Sequence, residues 1–203
     1  MSTTAAERLA FALVVPLALA ACAPEDGFAG PTKVAFLRDG TPLVADGYRN
    51  ARIALLRRGA GVTTAWGSQG REDGQFDLPH GVAVDADDRV YVADRDNARV
   101  QVFDRDGRHR ATWSGAQIGR PFAVAVSGDR VLVVDGGDQD PSHPAARVVV
   151  LDRDGHLLGQ FSSYGSRVGE LSDPHDIAVD ARGRVYVAEL GTRRVQRFRA
   201  LAP

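Results

Sequence analysis

Short Val-rich runs alternate with polar turns through most of the chain, and the runs fall into blocks that can be laid over one another. Pro79-His80-Gly81-Val82-Ala83-Val84-Asp85 opens one block and Pro174-His175-Asp176-Ile177-Ala178-Val179-Asp180 opens another. Pro121-Phe122-Ala123-Val124-Ala125-Val126 and Pro31-Thr32-Lys33-Val34-Ala35-Phe36 are weaker copies. A polar turn such as Asp85-Ala86-Asp87-Asp88 leads to a second run, Val90-Tyr91-Val92-Ala93-Asp94, repeated as Val185-Tyr186-Val187-Ala188-Glu189. The third run, Asn97-Ala98-Arg99-Val100-Gln101-Val102-Phe103, is echoed by Asn50-Ala51-Arg52-Ile53 and Arg194-Val195-Gln196-Arg197-Phe198. Asp-Gly turns at 104–107 and 152–155 precede a fourth run that ends at Trp113 or Phe161, with Trp66 as the first counterpart. Runs this short, bounded by such turns, predict strands rather than helices.

The opening prolines are 48, 42 and 53 residues apart, which leaves room for four strands and their turns in each unit. Repeated four-strand units of this length predict an all-β fold of about four β-propeller blades, near 31–67, 79–114, 121–162 and 174–200. One blade cannot bury both faces alone, so neighbours must stack and share cores. The last unit stops at Phe198 to Pro203 without an outer strand, and nothing in residues 23–30 reads as a closing strand. An open arc, a fragment and half of an assembly all remain compatible with that pattern.

The first 22 residues follow a different rule. Leu9 to Ala21 is apolar and uncharged, too short to span a bilayer as a helix but suited to the core of an export signal. It runs into Leu19-Ala20-Ala21-Cys22, and Cys22 is the chain's single cysteine. This resembles the lipobox of bacterial lipoproteins, which implies lipidation at Cys22, a tether at 23–30 and an exported protein anchored by lipid in the cell envelope. A plain secretory signal with an incidental cysteine is the alternative. The mature chain then carries no disulfide, although that compartment would permit one.

The 203 residues carry a net charge of −1, with 44% hydrophobic and 25% charged side chains, so no bulk field favours nucleic acid or an anionic membrane. The 22 glycines suit a chain of many turns, and lysine occurs once against 24 arginines. Arg52, Arg99, Arg147 and Arg194 recur at one position of the unit, as do Asp46, Asp94, Asp135 and Glu189. Recurrence marks them as architectural.

Residues that break the repeat carry the candidate chemistry. The position after the opening proline holds Thr32, His80, Phe122 and His175. It begins the innermost strand, so His80 and His175, from alternate blades, can converge on the axis. Converging imidazoles can hold Zn²⁺, although a catalytic zinc usually has three protein ligands. Histidines that cap turns are the alternative. Tyr48 and Arg95 are also unmatched by the other units; a tyrosine can serve as a base and an arginine can fork onto a carboxylate, and either can equally be a surface-loop residue.

Several segments beyond the bare repeat add a resemblance. Asp46-Gly47-Tyr48 with Asn50-Ala51-Arg52-Ile53, Gly74-Gln75-Phe76 leading to Leu78-Pro79-His80, and Val92-Ala93-Asp94-Arg95 occur in order. Gly137-Asp138-Gln139-Asp140-Pro141 and Pro174-His175-Asp176-Ile177 follow. Residues 31–199 thereby resemble the NHL-repeat lyase domain of peptidylglycine α-amidating enzymes. That resemblance implies a propeller with zinc held by His80 and His175, Tyr48 as catalytic base, Arg95 near the substrate carboxylate and Asp176 at a structural calcium. The implied reaction cleaves a peptidyl-α-hydroxyglycine to a peptide amide and glyoxylate. The family has six blades, and the match begins at its third, so a third zinc histidine and another arginine have no counterpart. His109, His143 and His156 are the remaining histidines, and Arg49, Tyr91 and Val102 stand where the family has cysteines. The expected partner is therefore a peptide or small carbinolamide substrate. A lipid-anchored binding or scaffold module for a peptide or protein is the alternative, and a second copy of the chain could complete the ring.

Overall fold

The computed structural model describes residues 27–57, 60–138 and 145–199. These form fifteen strands in four sheets, and no helix. The first sheet comprises β1 (Pro31–Phe36), β2 (Pro42–Asp46), β3 (Arg52–Arg57) and β4 (Gly61–Trp66). The second comprises β5 (Pro79–Val84), β6 (Val90–Asp94), β7 (Arg99–Phe103) and β8 (His109–Ser114). The third comprises β9 (Pro121–Ser127), β10 (Arg130–Asp135), β11 (Arg147–Asp152) and β12 (Leu157–Phe161). The fourth holds three strands, β13 (Pro174–Val179), β14 (Val185–Glu189) and β15 (Arg194–Phe198). Each sheet is an antiparallel meander in chain order, and the sheets are the four blades that the repeats predict. A proline starts each innermost strand, where its missing N–H costs the ladder least.

Alternation along the strands sends successive side chains to opposite neighbours. In the second blade Val82, Val90 and Val92 pack against Leu43, Ala45 and Ile53 of the first, with Phe76 and Phe103 filling the seam. Ala83, Tyr91 and Ala93, one residue out of phase, pack against Val124, Val131 and Val133 of the third blade. The far face of the third blade presents Ala125, Leu132 and Val134 to Ile177, Val185 and Val187 of the fourth. The core is thus three seams between consecutive blades.

The recurring acid and arginine form one ion pair per blade. Arg52–Asp46, Arg99–Asp94, Arg147–Asp135 and Arg194–Glu189 approach to 3.1, 2.7, 3.0 and 2.8 Å. Each acid also accepts the N–H of a residue in the segment that leads into its blade: Ala29, Asp77, Arg120 and Ser172. The arginine takes carbonyls of the same segment. Arg99 donates to Arg71, Glu72 and Gln75, and Arg194 to Ser166, Arg167 and Glu170. The pair is a clip that fixes the incoming loop to the blade it precedes.

The Asp94 side chain is fully buried. Burial pushes its carboxyl above the usual carboxylate range, with hydrogen bonds from Asn97 and Arg99 opposing. Arg99→Ala would strand that carboxylate and three loop carbonyls, and should cost about 3–5 kcal/mol in urea denaturation. Arg105→Ala, whose partner Asp39 is half-exposed, should cost far less in the same measurement.

Candidate functional site

The innermost strands bring the site together through one backbone device. Strand pairing slips between Pro31 and Lys33, between Pro79 and Gly81, and between Pro174 and Asp176. In the third blade Val134 pairs with Ala123 and Asp135 with Pro121. The residues skipped are Thr32, His80, Phe122 and His175. A bulge bends its strand and re-aims the extra side chain. The chain enters two of these bulges through left-handed residues, Leu78 at φ 60° and Asp173 at φ 53°. Non-glycine residues seldom hold this conformation unless their surroundings impose it.

Side chains at the bulges reach from blade to blade. The Thr32 hydroxyl donates to the Pro79 carbonyl at 2.9 Å. His80 Nδ1 donates to the Phe122 carbonyl at 2.7 Å. That bond leaves the lone pair on Nε2, and the Tyr48 hydroxyl donates to it at 3.2 Å. His80 is only 4% exposed. Burial depresses its pKa to about 4, against a weaker raising effect of the Phe122 bond, so the ring is neutral at neutral pH.

The His80 and His175 rings lie 4.6 Å apart between centroids, at 76°. Phe122 touches both, at 5.6 and 6.0 Å. The Arg95 guanidinium sits 4.3 Å above the Phe122 ring, a cation–π contact. Arg95 Nε is buried, 3.4 Å from the Asp96 carboxylate, and makes no hydrogen bond among the described residues.

Tyr48, His80, Arg95 and His175 are thus drawn into one cluster from three blades. Phe122 completes it from the remaining blade and was not singled out from the sequence, although it shares its repeat position with both histidines. A Cβ at Gly136 would fall 2.5 Å from the Phe122 ring, so that glycine makes the ring's seat.

The remaining histidines lie elsewhere. His109 bonds Thr112 on the outer strand β8, and His156 bonds Asp152 in the β11–β12 turn. His143 and Cys22 lie outside the described residues.

The model of the family described as NHL repeat matches residues 76–103 and 171–198, in the second and fourth blades. Peptidyl-alpha-hydroxyglycine alpha-amidating lyase 1 of Drosophila melanogaster is 32% identical over 192 residues, covering 84% of this chain and 35% of its own. The chain is an NHL-repeat propeller, homologous to the amidating lyases. Peptidylglycine alpha-amidating monooxygenase of Rattus norvegicus is 31% identical over 186 residues, 86% of this chain and 18% of that one. The chain therefore spans about a third of the fly relative and less than a fifth of the rat relative. A gluconolactonase from Xanthomonas campestris shares the fold, with a TM-score of 0.65 at 20% identity over 88% of this chain and 60% of that one.

The NHL-repeat site suits a metal in one respect and falls short in another. A histidine ligand commonly donates its second ring N–H to a carbonyl, which fixes the tautomer, and His80 does so to Phe122. The lone pair a zinc would take is the one Tyr48 now donates to. Among the described residues no group of three His, Cys, Asp or Glu is placed to hold a metal, so His80 and His175 would supply at most two nitrogen ligands. Asp176 does not suit calcium. Both its oxygens are held by Lys33 Nζ, at 2.5 and 2.6 Å, and Oδ1 also takes the Ile177 N–H.

Neutral His80 gives metal-free protein an acid sensitivity. Unfolded, the ring takes up a proton near pH 6.5; folded, it does so only near 4. As pH falls through that window the unfolded state alone gains the proton, so stability drops by ~3 kcal/mol and the loss is complete below pH 4. His80→Gln should flatten this part of the curve when unfolding free energies of the two proteins are compared across the window.

Proposed function

We propose that the protein is a lyase that cleaves the C–N bond of an α-hydroxyglycine amide to give an amide and glyoxylate. The observation that carries this reading is the contact cluster of Tyr48, His80, His175 and Arg95, the residues that break an otherwise regular repeat. Similarity to the fly lyase supports it. His80 and His175 would hold zinc, which would supply Lewis-acid polarisation of the substrate hydroxyl and leave positions for substrate or water oxygens.

The chain's own groups do the rest. Tyr48, as the phenolate, takes the hydroxyl proton as the carbinol C–O becomes C=O. The electrons of the breaking C–N bond pass to nitrogen, which takes that proton back from Tyr48 and leaves as the amide. Arg95, seated on Phe122, binds the carboxylate that departs in glyoxylate. The bond to the Phe122 carbonyl keeps His80 Nε2 turned toward Tyr48.

Purified protein should release glyoxylate from an α-hydroxyglycine peptide, lose that activity to a chelator and regain it with zinc. Tyr48→Phe should lower kcat by about 10²–10⁴-fold, while Arg95→Ala should mainly raise KM. Folded, zinc-loaded protein that yields no glyoxylate would end this reading.

A second reading rests on exposed apolar side chains of the terminal blades. Phe36 and Val34 on β1 are 62% and 49% exposed, and Val195 on β15 is 66% exposed. Such faces would suit a peptide, a protein or a second copy, held at the envelope by lipid on Cys22. In that case His80→Ala should leave partner binding unchanged and Cys22→Ser should move the protein out of the membrane fraction. Light scattering that shows only monomer would dismiss the second copy.

A further inference from the structure

Lys33 and Asp176 are 143 residues apart in the chain. Lys33 lies on the innermost strand of the first blade and Asp176 on that of the fourth. The ammonium meets both carboxylate oxygens, at 2.5 and 2.6 Å. The three hydrophobic seams join only consecutive blades, and none among the described residues joins the first blade to the fourth. This ion pair is therefore a direct link between the two ends of the array. Lys33 is also the sole lysine in a chain with 24 arginines. An ammonium is a compact point charge with three donors, closer in shape to a metal cation than a planar guanidinium is.

We propose that the Lys33 ammonium occupies the place of a divalent cation at Asp176, so that a built-in side chain, rather than calcium, ties the first blade to the last across the axis. The charge balance at Asp176 is met without metal, and its oxygens are not free to enter a calcium shell of six to eight ligands. The link also sets the spacing of the cluster, because Tyr48 belongs to the first blade and His175, next to Asp176, to the fourth. The proposal stands whether or not zinc binds at the histidines.

The test is calcium calorimetry on the native protein, together with thermal unfolding in millimolar calcium and in EGTA. The wild type should bind no calcium and show one midpoint in both media. Lys33→Met, which keeps the chain length and removes the charge, should melt a few degrees lower in EGTA and recover part of that loss in calcium. Asp176→Asn should melt lower in both media without recovery, and the double variant should be no worse than the weaker single one. Stoichiometric calcium binding by the wild type, or a wild-type midpoint that rises with calcium, would overturn the proposal. So would single variants that melt like the wild type. The wild-type measurements decide the question even if Lys33→Met fails to fold, and none of these readouts depends on lyase activity.

Discussion

A buried carboxylate paired with an arginine is the constraint on which the rest of this structure depends. Its cost is desolvation, evident in the raised Asp94 carboxyl. That cost is offset because the pair is not isolated: the acid accepts a loop N–H and the arginine takes loop carbonyls. A long connection that would otherwise wander is bound to the blade it precedes. With the loop fixed, the opening proline has one position and the bulge after it one direction. The chemistry at the axis is downstream of a structural ion pair on the adjacent strands, whose acid Asp94 pairs in register with Pro79.

From that starting point the site is assembled by contacts between blades rather than within one. Thr32 reaches the second blade and His80 the third, each through a carbonyl at the next opening strand. His80 is buried and neutral, held by one neighbour and faced by another. Phe122 serves twice, with its carbonyl on His80 and its ring beneath Arg95. The roles expected of Tyr48, His80, Arg95 and His175 singly depend on this shared support.

Much of the fold was legible because strand alternation and turn chemistry are local signals. Four openings could be counted directly, as could the three apolar runs of the last unit. The recurring acids and arginines could be recognised as architectural, but what they hold could not, since their partners are backbone groups without a side-chain signature. His80 and His175 stood out because they break the repeat at the start of the innermost strand, from alternate blades. Phe122 did not, because an aromatic there looks like ordinary core. The bulges left no mark in composition, yet they decide where these side chains point. The Lys33–Asp176 pair was hidden for a different reason: it joins the first and fourth blades, which no local pattern relates. The expectation of calcium at Asp176 came from resemblance alone, and the ammonium beside that carboxylate was not visible from the motif.

The scarcity of lysine has a practical side. A chain with one side-chain amine and 24 guanidinium groups offers amine-selective chemistry a single address among its side chains, and that address lies on the propeller axis. An isotopic or fluorescent label there would report from between the innermost strands of the first and fourth blades, with no engineered residue. Because the amine is held by a carboxylate, its rate of labelling would also measure how often the two ends of the array part.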